Sequence, residues 1–90
     1  MKYRKKPVEI EAEQVSMILK DSKEDWKSLP AWVSEAYEKG TLLFLPDSIE
    51  VKTLEGTMTA KNYDMLIRGV EGEIYPCKPG IFLSTYEPVE

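Results

Sequence analysis

The chain contains no histidine and a single cysteine, Cys77. The first absence removes the commonest general base, the commonest zinc ligand and the usual pH switch. The second excludes an intramolecular disulfide framework and a cysteine-rich metal site. No stretch approaches the roughly 20 apolar residues of a membrane span. The basic start, MKYRKKPVEIEAEQV, has no apolar segment after it and does not read as a signal peptide. The five glycines are dispersed singly or in turns, so no phosphate-cradling loop is present. CxxC and HExxH spacings, a nucleophile elbow and a Ser-x-x-Lys arrangement are all missing. Carboxylates are abundant, yet nothing in their spacing singles out a catalytic pair. The sequence therefore gives no support to an enzyme, and it calls for no cofactor and no metal. The expected compartment is the cytoplasm, where Cys77 would be a reduced thiol.

What is present describes one small domain spanning residues 1–90. At 42% hydrophobic and 31% charged, the composition is that of a folded protein rather than a disordered chain. The net charge is −4, and it is unevenly spread. Lys2, Arg4, Lys5 and Lys6 crowd the first seven residues. The remainder then holds twice as many anions as cations. An acidic body thus carries a basic tip.

Val8, Ile10 and Ala12 alternate with Glu9, Glu11 and Glu13, the period-two pattern of a strand with one buried face. Its glutamates form a row facing water, open to pairing with Lys or Arg across a sheet. In DSKEDW, Ser22 and Asp25 resemble a variant capping box ahead of a short helical turn at Trp26. A stronger helical signal follows at about 29–39. Leu29, Trp32, Val33, Ala36 and Tyr37 recur at i, i+3, i+4, i+7 and i+8, one apolar stripe. Ser28 is the expected cap, Pro30 suits a first turn, and Lys39–Gly40 is a stop signal.

From Thr41 onward the pattern is β. TLLFLP and SIEVKT read as strands, and LEG at 54–56 reads as a hairpin with Gly56 in the left-handed position. KNYD at 61–64 is the next turn, with Asn62 tolerant of positive φ. MLIRG is a short strand, GVEG at 69–72 another hairpin, and EIYPCK the strand after it. STYEPVE reads as a final strand. Tight connections imply antiparallel pairing. The expected fold is α+β: a small, mostly antiparallel curved sheet or partly closed β-roll, with one main helix packed on it.

Within GEIYPCKPGIF, Pro76 confines its strand to a sheet edge or a bulge. Pro79–Gly80 should then turn the chain and carry Ile81 and Phe82 inward. Cys77 has no histidine to activate it, and Lys78 beside it points to the opposite face of a strand. A structural role for the thiol is the expectation.

Three strings carry a resemblance: YRKKPVEIEAEQV at 3–15, TLEGTMTA at 53–60, and IRGVEGEIYPCKPGIF followed by TYEPV at 67–89. Together they resemble a family of small uncharacterised phage and prophage proteins. The likeness covers both ends and most of the second half, and not the middle, about 16–48. Members commonly show Gly-Asp-aromatic before the IRG strand. Here the positions are Tyr63, Asp64 and Met65, so only the Asp is kept. The resemblance implies a phage-derived gene expressed in a bacterial host cell, a class rich in small interaction modules, and implies no particular activity.

The leading expectation is a non-catalytic module that binds a phage or host protein, or a second copy of itself as a homo-oligomer. Aromatics near turns (Trp26, Tyr63, Tyr75, Tyr86) suit such an interface, and exposed edge strands would permit strand addition. The candidate binding residues are Tyr63, Asp64, Arg68, Tyr75, Cys77 and Lys78. The alternative is nucleic-acid binding through Lys2, Arg4, Lys5 and Lys6, with Tyr3 available to stack on a base. An acidic body repels phosphates, which counts against it.

Overall fold

The computed structural model describes residues 1–3 and 8–89. In chain order the elements are β1 (Glu11–Gln14), α1 (Val15–Glu24), a 3-10 turn (Trp26–Ser28), α2 (Ala31–Glu38), β2 (Leu42–Phe44), β3 (Ser48–Thr53), β4 (Gly56–Lys61), β5 (Met65–Arg68), β6 (Ile74–Cys77) and α3 (Pro79–Thr85). The α+β class and the antiparallel pairing are as the sequence indicates. The strands divide between two three-stranded sheets, ordered β1-β5-β6 and β2-β3-β4. β6 lies against both β3 and β4, so the two sheets pack on each other.

α2 forms where its stripe predicts. Leu29, Trp32, Val33 and Ala36 are buried, while Tyr37 stays partly exposed and stacks on Phe44 at 4.8 Å between ring centroids. Gly40 ends the helix with φ +80°, a conformation that costs a Cβ-bearing residue energy. The expected Ser28 cap does not form. Ser28 instead donates to the Asp25 carboxylate at 2.6 Å, and Pro30 occupies the capping position.

α1 was not expected at this length. Val15, Ile18 and Leu19 form a short buried stripe, and Ser22 lies inside the helix, donating to the Leu19 carbonyl at 2.7 Å rather than capping. The helix start has no side-chain cap. Its first amides are satisfied from far along the chain: Val15 N–H donates to Asp64 O at 3.0 Å and Ser16 N–H to Asn62 O at 2.9 Å. The KNYD turn therefore does the capping. β1 is correspondingly shorter than the alternation suggests. Val8 is exposed and Val15 already belongs to the helix.

The hairpins are where the turn chemistry predicts. Thr53 pairs with Gly56, whose φ of +118° only glycine adopts freely. No residue other than glycine has positive φ among the described residues, so Asn62 does not use the left-handed region. Pro76 sits on β6, an edge strand, as its missing N–H requires. The final strand is absent among the described residues. Pro79 opens a two-turn helix instead of a loop, since proline's fixed φ suits the first helical position. Ile81 is exposed rather than inward-facing, and Phe82 is half-buried and packs on Tyr86 at 5.2 Å.

The core joins both sheets and two helices. Ile18, Val33, Ile49, Val51 and Leu66 are all inaccessible to solvent.

Candidate functional site

Three elements leave a groove between them. α2 contributes its Trp32–Ala36 face at the bottom, the β3–β4 hairpin tip forms one wall, and the β5–β6 hairpin with the start of β6 forms the other. The groove has a volume of about 750 Å³ and is partly open to solvent. Trp32, Ala36, Met58 and Ile74 supply an apolar floor. Three bases, Lys39, Lys52 and Arg68, and three acids, Glu35, Glu55 and Glu73, supply the rim. Leu54 stands at the hairpin tip fully exposed, beside the floor.

Two of the sequence candidates line this groove. Arg68 lies at its edge, with Nη1 donating to Glu11 Oε1 at 3.3 Å. That pair partly confirms the expectation that the glutamate row faces Lys or Arg across a sheet: Glu11 is opposite Arg68 in the β1–β5 register. Both side chains are near half exposed, so the bridge adds little stability. The next glutamate of the row, Glu13, has its carboxyl pushed above the ordinary range by burial first and by Asp21 second. The row does not converge, and no group of three or more Cys, Asp or Glu side chains able to hold a metal ion occurs among the described residues.

Tyr75 is the second candidate in the groove wall. Its hydroxyl lies 3.4 Å from that of Tyr86, which ties β6 to the end of α3. Burial, the Tyr86 hydrogen bond and nearby negative groups push the Tyr75 phenol up to about 12. The folded state thus favours the neutral phenol. Its stabilisation is complete below pH 10 and is lost as pH rises from 10 toward 12. Alkaline titration followed by phenolate absorbance should show a late step near pH 12, and Tyr75→Phe should remove it. A titration without that late step would show that the Tyr75–Tyr86 contact does not persist in solution.

The remaining candidates are scattered. Tyr63 projects from its turn, 70% exposed and away from the groove lining. Asp64 is buried, and its Oδ2 accepts the Lys61 N–H at 2.9 Å. Its place is inside the turn, not on a binding surface. Cys77 ends β6 half-buried, with Sγ 3.6 Å from the Lys78 carbonyl. Burial first, and then Asp64, pushes the thiol up, away from the thiolate a nucleophile requires. Lys78 is exposed and precedes α3. Of the basic tip, Lys2 and Tyr3 are exposed, while Arg4, Lys5 and Lys6 lie outside the described residues.

Most groove residues were not among the candidates. Leu54 carried a signal, since a leucine between the strands of a hairpin is out of place in a turn. The floor residues carried none, because they look like ordinary core positions. Comparison finds no family model, no curated protein and no solved structure that matches the chain.

Proposed function

We propose that the chain is a small non-catalytic module that binds an extended segment of another protein in the groove between its two hairpins. The observation that carries this reading is the groove's make-up: an apolar floor with a fully exposed Leu54 beside it, inside a rim of mixed charge. That is the pattern of a protein interface, apolar at the centre and polar around it. Its volume falls within the range of about 300–1,000 Å³ typical of ligand sites, yet it is partly open, which suits a chain passing through better than an enclosed small molecule. The equal count of acids and bases on the rim favours a partner segment that is itself of mixed charge. A protonated Cys77 in a chain without histidine to activate it supports a binding role over a catalytic one. The resemblance of both ends to phage and prophage proteins supports an accessory protein acting in the cytoplasm of a bacterial host.

The test is affinity capture from nuclease-treated host lysate with three baits: the full chain, a chain lacking residues 2–6, and Leu54→Ser combined with Lys39→Glu. A protein retained by the first two and weakened about tenfold on the third is the expected result. Equal retention by all three would place the interface elsewhere. In untreated lysate, nucleic acid held only by the full chain would move the function to the basic tip.

A further inference from the structure

The two sheets end in four edge strands, and three of them are blunted. β1 carries Glu11 and Glu13, β2 is three residues long, and β6 contains Pro76. Charge, brevity and proline are the usual devices against unwanted pairing. β4 is neither short nor interrupted by proline, and its one charge, Lys61, stands at its last position. It is six residues long and exposed from Gly56 through Thr59.

The hydrogen-bond pattern shows which groups that edge offers. Lys52 N–H donates to Thr41 O at 2.9 Å, and Leu45 N–H to Ser48 O at 2.9 Å. Ser48, Glu50 and Lys52 therefore face β2, and the alternate residues Ile49, Val51 and Thr53 face β4. Opposite them stand Ala60, Met58 and Gly56. Thr57, Thr59 and Lys61 must turn their backbone groups outward. Lys61 is already satisfied, because its N–H donates to Asp64 Oδ2 and its carbonyl accepts the Asp64 N–H, both at 2.9 Å. Among the described residues, Thr57 and Thr59 have no such partner.

We propose that β4 pairs with β4 of a second copy of this chain, antiparallel, about a two-fold axis at Met58. In this register each Thr57 faces Thr59 of the second copy, and each such pair exchanges two backbone hydrogen bonds. All the outward groups left free in the single chain are then used. The same register sets Glu55 opposite Lys61 of the second copy, twice, so the charges at the two strand ends complement each other. A parallel arrangement would set each charge beside its own kind. Sliding the strands by two residues would bring Thr57 to the already satisfied Lys61, or Thr59 to the turn residue Glu55. Only the register centred on Met58 joins full hydrogen bonding to charge complementarity, which is why a second copy fits this edge. The inference stands on β4 and does not need the groove to hold a ligand.

Sedimentation equilibrium from ~10 μM to ~1 mM, with amide exchange by NMR at both ends of that range, tests it. The mass should double. The Thr57 and Thr59 amides should slow with concentration, while that of Met58, bonded to β3, is slow throughout. Thr59→Pro removes a donor that the single chain's ladder does not use, so it should give a folded monomer. Glu55→Lys and Lys61→Glu should each weaken dimerisation about fivefold, and the double exchange should restore it, which reads the register even if the proline variant misfolds. A monomer at ~1 mM, a dimer whose Thr57 and Thr59 amides exchange freely, or a double exchange that restores nothing would overturn the proposal.

Discussion

Ile18→Ala is expected to lower the unfolding free energy by about 3 kcal/mol and the melting temperature by about 15 °C. Ile18 is fully buried, and α1 packs on β3 at the centre of the molecule. Truncating it removes the transfer free energy of three carbons and leaves a void that the two sheets cannot close without moving. A domain of this length commands only about 5–14 kcal/mol in total, so the loss is a large fraction of it. Met17, the preceding residue in the same helix, is 43% exposed. Met17→Ala should change stability by no more than about 0.5 kcal/mol. Thermal melts of both variants by circular dichroism give the comparison. Equal effects from the two would mean that α1 is not docked as described.

Asp64→Ala is expected to cost about 2 kcal/mol, or about 10 °C in melting temperature. The carboxylate accepts the Lys61 N–H at 2.9 Å inside the turn, and the backbone of the same turn holds the Val15 and Ser16 amides. Losing the acceptor leaves a donor without its partner and loosens the support on which α1 starts. Asp64→Asn keeps a carbonyl acceptor and should cost less than half as much. Amide exchange supplies the second readout, because Val15 and Ser16 should lose protection in Asp64→Ala and keep most of it in Asp64→Asn. Equal destabilisation by both substitutions would shift the role of Asp64 from hydrogen bonding to charge.

Local signals were strong wherever their cause lay within a few residues. The α2 stripe, the Gly40 stop, the Gly56 hairpin and the confinement of Pro76 to an edge each rest on backbone geometry or helix periodicity over one or two turns. The same reasoning misplaced α1. Its stripe ends after Leu19 and its capping groups are the carbonyls of Asn62 and Asp64, which no window around Val15 contains. It also misread α3. Pro79–Gly80 is a turn signal taken alone, and a two-turn helix is too short to be stable by itself. The Phe82–Tyr86 packing and the Tyr75–Tyr86 contact supply what local propensity cannot.

The candidate site divides along the same line. Arg68 and Tyr75 were legible because they flank a hairpin and belong to residue types that favour interfaces. Asp64 was legible as a distinctive residue, but only its burial shows that it serves the turn. The groove itself could not be read from the sequence, since its walls come from α2 and two hairpins that are remote from one another along the chain. The sequence by itself determined the α+β class, the antiparallel strands, the central helix and the confinement of Pro76 to an edge or a bulge, because periodicity and turn chemistry act over short spans. Tertiary structure decided the split into two sheets, the start of α1, the helical C-terminal segment and the groove. Each of these depends on backbone groups or apolar faces that meet only after distant segments have been brought together.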